Sequence, residues 1–259
     1  MALLRAELLK VSTTRLWWVM LLVMLGYVAL LLGFTIYAAG VTTPDGQAII
    51  PARDTAPFQE VIWGTGVSGA VFAAVLGVVM MTGEYRYQTI TTTLLATPKR
   101  VRVVVAKLGA GLVVGLLLGV AVLVLTGVTL VVTVLLAGGE LTFTATVARV
   151  IGSVLVVLAL YALAGVGLGA LIKNQVGALS ALMVWVFVIE SLVNGIPALR
   201  PVGKWTPSGA TQALTNTGVG FGVDVSYLLP AWAGGLVLLG YGLIFSAIAS
   251  ATTLRRDIT

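Results

Sequence analysis

The sequence predicts an all-α integral membrane protein with six transmembrane helices in a single membrane domain. Of its 259 residues, 59% are hydrophobic and only 9% are charged, whereas a soluble domain carries about 25% charged residues. The apolar residues form six runs, each long enough to cross a hydrocarbon core of about 30 Å at about 1.5 Å per residue. Short basic or turn-rich segments separate these runs, and no large soluble domain interrupts them.

Residues 2–15 predict an amphipathic helix that lies along the membrane interface before the first span. Leu4, Leu8 and Val11 fall on one helical stripe, and the charged side chains, Glu7 among them, lie largely elsewhere. Such a helix can rest its apolar stripe on the bilayer while its charges face water. A frayed basic tail is the alternative.

The first two spans are predicted at residues 16–39 and 61–82, joined by a turn-rich loop. The first is uncharged and begins with two tryptophans, which favour the membrane interface. The second carries small residues at four-residue spacing, Gly69, Ala73 and Gly77. Small residues let helices approach closely in lipid, so we expect this face to pack against another span.

The other four spans are predicted at residues 108–137, 147–172, 176–196 and 231–254. The third is long, about 45 Å at 1.5 Å per residue, so it tilts or projects into water. A three-residue linker makes the fourth and fifth spans antiparallel neighbours. Residues 197–230, rich in Pro, Gly and Thr, are too weakly apolar to form another span.

The basic residues set the topology. The net charge of +6 could indicate nucleic-acid binding, but the cations stand at the ends of apolar runs, so no nucleic-acid partner is predicted. Eleven of the 15 Lys and Arg residues lie on the side of the termini, and four, at positions 53, 149, 200 and 204, lie on the other. The positive-inside rule therefore places both termini and residues 83–107 in the cytoplasm of a multi-pass cell-membrane protein.

The residue types exclude most kinds of catalytic and metal-binding site. The chain has no cysteine and no histidine, and it shows no catalytic constellation or metal-ligand cluster. A phosphate-binding P-loop needs Gly-Lys followed by Ser or Thr, but the one Gly-Lys pair, Gly203-Lys204, precedes Trp205. We therefore expect no enzyme activity, cofactor or metal in this chain. Energy for uphill transport must come from an ion gradient or another polypeptide.

Residues 83–107 form a polar, basic segment between two apolar runs. Glu84 can start a helix, Ile90 and Leu94 give that helix an apolar side, and Pro98 ends it. The pattern predicts a short amphipathic helix on the cytoplasmic face, available to lipid or to a groove in a partner protein. The alternative is a basic loop that only maintains topology.

Glu190 is the one charge well inside a predicted span, about 21 Å along the helix from Val176 at 1.5 Å per residue. As a gate or path-lining group it would suit a gradient-driven carrier or channel. Alternatively, it is an interfacial carboxylate paired with Arg149, Arg200 or Lys204. A third hypothesis is a non-transporting membrane scaffold that uses the long outer segment as its interaction surface.

The cytoplasmic segment resembles a known family. It contains Glu84-Tyr85-Arg86-x-x-Thr89-Ile90, then Thr93-Leu94-Leu95-Ala96-Thr97-Pro98-x-Arg100, then Lys107 before a glycine-rich span. This pattern is similar to the segment between the second and third spans of bacterial type-2 ABC exporter permeases, and the six-span layout also matches. The chain lacks the large extracellular domain of the macrolide-exporter and lipoprotein-release relatives.

The resemblance implies that this subunit pairs with a second copy or a paralogue, and that two separate ATP-binding-cassette ATPases, which bind ATP and magnesium, dock beneath the pair. Residues 84–100 would be the coupling helix that enters a groove of the ATPase. The coupling residues it implies are Glu84, Tyr85, Arg86, Thr89, Ile90, Leu94, Pro98 and Arg100.

The resemblance also implies that residues 197–230 fold back as re-entrant helices that close the outer mouth. Trp205 and Pro207 would belong to that closure and, with Glu190, are candidates for the path or gate. Apolar spans suit an apolar or amphipathic cargo such as a drug, peptide or lipid. They suit lipid contact equally, so the substrate stays open, as does the choice between homodimer and heterodimer.

Overall fold

The structure, a computed structural model, describes residues 2–42, 48–89, 100–216 and 227–252. Over these ranges the chain is helical and forms no β-strand beyond two isolated bridges that join Ala39 to Ile50 and Thr42 to Ala48. Six helical segments of the described chain are long and apolar enough to cross a membrane. The predicted class, an all-α protein with six spans, is confirmed.

The helices follow the chain in a simple order. Helix α1 precedes the spans and covers Ala2–Thr13. The first four spans are α2 (Leu16–Ala38), α3 with α4 (Ala56–Thr65 and Ala70–Arg86, joined by a 3-10 turn), α5 (Arg100–Leu136) and α6 (Ala145–Leu171). The fifth span joins α7 (Gln175–Val184) through a π-helical turn, Trp185–Ile189, to α8 (Glu190–Gly195). The rest comprises a 3-10 turn (Pro197–Leu199), α9 (Arg200–Gly203), α10 (Pro207–Thr215) and the sixth span, α11 (Ala231–Ala251).

The second and third spans extend beyond the predicted bounds. The second begins at Ala56, with Pro57 in the first turn, where a missing backbone N–H costs no hydrogen bond. It continues to Arg86, so Glu84 lies in the last turn of α4. The prediction that Glu84 starts a new helix is therefore wrong. A carboxylate is unfavourable near a helix C-terminus, but here two lysines neutralise it.

Helix α6 is the centre of the bundle and packs against α4, α5 and α11. Its contact with α4 is close because small residues meet there. A Cβ atom added at Gly77 would overlap the carbonyl oxygen of Ala162, and one added at Gly165 would overlap that of Ala74. The small-residue face predicted for the second span is thus a helix-packing face, consistent with packing-driven association in lipid.

Helix α10 lies against the bundle, in contact with α6 and α11. Ser153, near the start of α6, donates a hydrogen bond to the carbonyl oxygen of Leu214 at 2.8 Å. Thr211 donates one to the hydroxyl of Tyr161, near the middle of α6, at 3.3 Å. Residues 207–215 therefore run along α6 instead of projecting away from the spans.

Candidate functional site

Four charged side chains meet at the end of the bundle that carries the N-terminus. Lys107 Nζ lies 2.6 Å from Glu7 Oε2 and 2.9 Å from Glu84 Oε1. Lys10 Nζ lies 2.9 Å from Glu7 Oε1 and 2.7 Å from the same Glu84 oxygen. We call Glu7, Lys10, Glu84 and Lys107 the ion cluster. Each carboxylate contacts both lysines, and the two negative and two positive charges sum to zero.

The ion cluster is largely withdrawn from solvent. The Lys107 side chain is only 1% exposed, Glu7 and Glu84 are buried, and Lys10 is half-exposed. Lys107 also donates to the carbonyl oxygen of Met80 at 3.4 Å. An unpaired buried charge costs several kcal/mol in desolvation. The buried members therefore depend on one another, and loss of any one leaves the other three with a surplus charge.

The protonation states of α1 follow from these contacts. Burial by itself would raise the pKa of Glu7, but the attraction and hydrogen bond of Lys107, with help from Lys10, outweigh it and hold this pKa below its ordinary value of 4.5. Burial would lower the pKa of Lys10, but hydrogen bonds to Glu84 and Glu7 outweigh it and hold this pKa above 10.5. Both groups are charged at neutral pH.

The ion cluster joins three helices that are distant in sequence. Glu7 and Lys10 come from α1, Glu84 from the last turn of α4 and Lys107 from the second turn of α5. The cluster thereby ties α1 to the end of the second span and the beginning of the third. Glu7, which the sequence predicts to lie off the apolar stripe of α1, is nevertheless buried, and it pairs there with the buried Lys107 ammonium.

The chain leaves α4 through a defined turn. The amide of Thr89 donates to the carbonyl of Glu84 at 2.9 Å, and that of Gln88 donates to the carbonyl of Tyr85 at 3.3 Å. Gln88 has a φ of 56°, so these bonds form a Schellman motif with glutamine at the left-handed position that usually holds glycine. This motif sets the direction in which the chain continues after Thr89.

A groove of about 820 Å³ opens beside the ion cluster. On one wall, Arg86 donates to Gln175 Oε1 at 3.2 Å and links the end of α4 to the start of the fifth span. Its polar lining residues outside the ion cluster are Thr13, Thr14, Arg15, Arg86, Tyr87, Thr89 and Gln175. Its apolar lining residues are Val11, Leu16, Leu76, Val79 and Met80.

The predicted coupling residues have different positions relative to this groove. Glu84 belongs to the ion cluster, Arg86 and Thr89 are exposed on the groove wall, and Tyr85 is partly buried. Arg100 is the first residue of α5. Three predicted coupling residues, Ile90, Leu94 and Pro98, lie outside the described residues.

Glu190 lies at the other end of the bundle, in a neutral setting. Its Oε1 accepts hydrogen bonds from the amide of Ser208 at 3.0 Å and from the indole N–H of Trp185 at 3.3 Å. The π-helical turn Trp185–Ile189 brings the indole back toward Glu190, five residues later. Among the described residues, Glu190 therefore does not pair with a basic residue, as one prediction had it, but accepts from two neutral donors. One of them is a backbone amide at the start of α10, which lies beside the carboxylate.

We call Glu190, Trp185 and Ser208 the outer joint, because they hold the fifth span to the start of α10. Pro207 is the first residue of α10, and Trp205 is exposed just before it. The Tyr241 hydroxyl of the sixth span donates to the carbonyl of Trp205 at 3.1 Å.

An apolar cavity of about 160 Å³ lies between α4, α6, the fifth span and α11. Its wall includes Trp185 and Pro207, so it adjoins the outer joint. No group of three acidic residues placed to hold a metal ion occurs among the described residues. This end of the bundle is thus an apolar, hydrogen-bonded region.

A comparison with protein families decides the identity. The model of the ABC-2 family transporter protein matches residues 3–190, which is more than half of the chain. The chain belongs to the ABC-2 transporter family. It is a type-2 ABC transporter permease, and thus a multi-pass transmembrane subunit. No curated protein matches the chain.

The ion cluster of this ABC-2 permease lies wholly within the matched residues, whereas α10 and α11 lie beyond them. Sequence reasoning missed Glu7 and Lys10 as members of a site. Their spacing of three residues puts them on one helix face, and this was the available signal. Ser208 binds Glu190 through its backbone amide, so the type of its side chain gave no signal of this contact.

Proposed function

We propose that this ABC-2 permease is the membrane-spanning subunit of an ATP-driven exporter. Two separate ATP-binding-cassette ATPases, which bind ATP and magnesium, dock on the end of the bundle that carries the ion cluster. A second permease copy or a paralogue completes the translocation path. The protein lies in the cell membrane with both termini in the cytoplasm, as the excess of basic residues on that side supports.

The observation that carries this proposal is the ion cluster. Residues 90–99 join the end of α4 to the start of α5, and the ion cluster locks those two ends to each other and to α1. A force applied to residues 90–99 therefore acts on both spans and α1 together. The ATPase moves this segment when it closes on ATP, and the bundle transmits that motion toward the path.

The distribution of buried residues supports a second permease subunit. In the first span five residues are buried, and in the fifth the buried side chains are Ala178 and Glu190. The fourth span, by contrast, is buried on most of its surface. The two exposed spans leave broad apolar faces for a partner copy or lipid, and a path between subunits uses such faces.

The outer joint gives Glu190 a structural role. Two N–H donors, the Ser208 amide and the Trp185 indole, point at its Oε1, which accepts both hydrogen bonds. We propose that Glu190 positions α10 at the outer closure together with Trp205 and Pro207. No feature of the described residues favours the scaffold hypothesis over transport.

The test is purification of the full chain from its native membranes, followed by identification of any co-purified ATPase by its P-loop sequence. ATP turnover and transport are then measured after reconstitution, with a panel of apolar and amphipathic candidate substrates. We expect an ATPase to co-purify and a substrate to stimulate its turnover. Transport that proceeds on an ion gradient alone, without the ATPase, would overturn the proposal.

The coupling role is tested by replacing residues 90–99 with ten Gly and Ser residues, which leaves the ion cluster intact. Residues 217–226 supply a replacement of the same length on the other side of the membrane. We expect the first replacement to abolish ATPase co-purification and the second to retain it. A complex that stays assembled and coupled after the first replacement contradicts the proposed docking site.

A further inference from the structure

The groove beside the ion cluster has a charge distribution that the pairing within the ion cluster does not account for. Within the ion cluster, Glu7 and Glu84 balance Lys10 and Lys107. Arg15 and Arg86 also line the groove, and neither forms an ion pair with any carboxylate of the described residues. Among the described residues, the groove therefore carries two positive charges that no carboxylate balances.

The two arginines line different parts of the groove. Arg15 stands at the elbow between α1 and α2, and it is exposed. Arg86 stands at the end of α4, where its guanidinium donates to Gln175 Oε1 and lies 5.7 Å from the ring of Tyr87. These neutral contacts orient the Arg86 guanidinium without cancelling its charge. Guanidinium groups bind phosphate oxygens through paired N–H donors.

The inner part of the groove is apolar. Leu76, Val79 and Met80 form it from the face of α4, and Leu16 adds the first residue of α2. These residues belong to helices long and apolar enough to cross a membrane, so the groove extends from the charged end of α4 along the apolar part of the span. A volume of about 820 Å³ is far larger than a free phosphate ion requires, given roughly 30 Å³ per water molecule in the liquid.

We propose that this groove binds an anionic phospholipid, with its phosphate at Arg15 and Arg86 and an acyl chain along Leu76, Val79 and Met80. Basic pockets between transmembrane helices are suited to anionic headgroups. A bound lipid would contact α1, α4 and the start of the fifth span at once, and so would stabilise their packing. This inference does not depend on the exporter proposal, because it concerns the permease chain alone.

The experiment measures lipid binding to the purified full-length permease by native mass spectrometry. Phosphatidylglycerol, phosphatidylcholine and inorganic phosphate are the three probes. The test variant is R15Q/R86Q. The matched control is R5Q/R102Q, which removes two exposed arginines from the same end of the bundle without altering the groove lining.

We expect phosphatidylglycerol to bind and R15Q/R86Q to bind it about 25-fold more weakly, at about fivefold for each arginine near an anionic surface. R5Q/R102Q should bind within about twofold of wild type. If R15Q/R86Q does not fold, Arg15→Gln and Arg86→Gln alone should each show about a fivefold loss.

Four results would overturn the lipid proposal. Equal losses of phosphatidylglycerol binding in R15Q/R86Q and R5Q/R102Q would mean a general charge effect. Unchanged binding in R15Q/R86Q, or in both single variants, would place the lipid elsewhere. Phosphatidylcholine that binds as tightly as phosphatidylglycerol would remove the role of charge. Inorganic phosphate that displaces phosphatidylglycerol at millimolar concentration would identify a free-phosphate site instead.

Discussion

Glu84 and Glu190 are both buried carboxylates near the end of a span, but their surroundings differ. Glu84 shares one oxygen between two lysines from two other helices. Glu190 accepts hydrogen bonds from an indole and a backbone amide, both neutral. The first arrangement fixes three helices through strong, mutually dependent charges, whereas the second fixes one short helix through directional hydrogen bonds. The ion cluster suits force transmission, and the outer joint suits the positioning of a closure.

Of the substitutions at the two ends, Lys107→Ala should cause the largest loss of stability. This change leaves Glu7 and Glu84 buried beside the half-exposed Lys10 alone, and we expect a loss of about 3–5 kcal/mol. The apparent Tm of the purified permease measures it. Lys173→Ala, at a partly buried lysine between the fourth and fifth spans, is the control with the same change in charge. A Tm equal to that of wild type would show that the ion cluster does not hold the helices together.

A double variant sharpens this prediction. In Lys107→Ala with Glu7→Gln, one acid and one base are removed together, so the remaining pair of Lys10 and Glu84 is balanced. We expect part of the lost stability to return, because the buried surplus charge is gone. If the two changes add without any recovery, the loss in Lys107→Ala comes from packing and not from charge.

At the outer joint the expected effect is smaller. Glu190→Ala leaves the Ser208 amide and the Trp185 indole without their acceptor, at a cost of about 1–3 kcal/mol. Hydrogen exchange of residues 207–215 should quicken, while exchange of α1 stays unchanged. Glu190→Gln keeps a side-chain oxygen acceptor, so it should retain slow exchange and transport. Loss of transport in Glu190→Gln with an intact α10 would favour a titrating carboxylate and the gradient-driven alternative.

Acid should weaken the N-terminal end through Glu7. The effect should be smaller than that of removing Lys107, because Lys107 keeps Glu84 as a partner when Glu7 is protonated. The folded-state pKa of Glu7 lies below 4.5, so its contribution is complete above that pH and is lost as pH falls through the lowered value. Hydrogen exchange of α1, corrected for intrinsic rates, should show increased opening below pH 4.5. Glu7→Gln should lack this Glu7-dependent step, and an unchanged acid profile would contradict the assignment.

The smallest effect on stability is expected at the turn that ends α4. Gln88→Gly places glycine at a φ of 56°, where glycine carries no steric penalty, and we expect a gain in stability of about 0.5–1 kcal/mol. Gln88→Val should lose stability, because a β-branched side chain is strained there. Thermal unfolding of the two variants measures the difference. The same loss in both variants would show that the turn depends on the glutamine side chain.

The spans were predictable because the length of an uncharged apolar run gives the approximate length of the transmembrane helix, as at Leu16–Ala38. The ends were less predictable. Glu84 resembles a helix start but lies in the last turn of α4, and the second span begins at Ala56, before its uninterrupted apolar run. The ion cluster joins residues up to 100 positions apart, and the sequence gives no distance between them. One of the two partners of Glu190 is a backbone amide, which no side-chain pattern can reveal.

The absence of cysteine allows a direct test of where the ATPase docks, because any introduced thiol is unique. A photo-activated cross-linker at Thr89→Cys lies on the groove wall, and one at Phe143→Cys lies in the exposed linker between α5 and α6. We predict that Thr89→Cys captures a subunit whose sequence carries a P-loop, and that Phe143→Cys does not. Equal capture at both positions, or none at Thr89→Cys in a complex that hydrolyses ATP, would contradict energy input at this end of the permease.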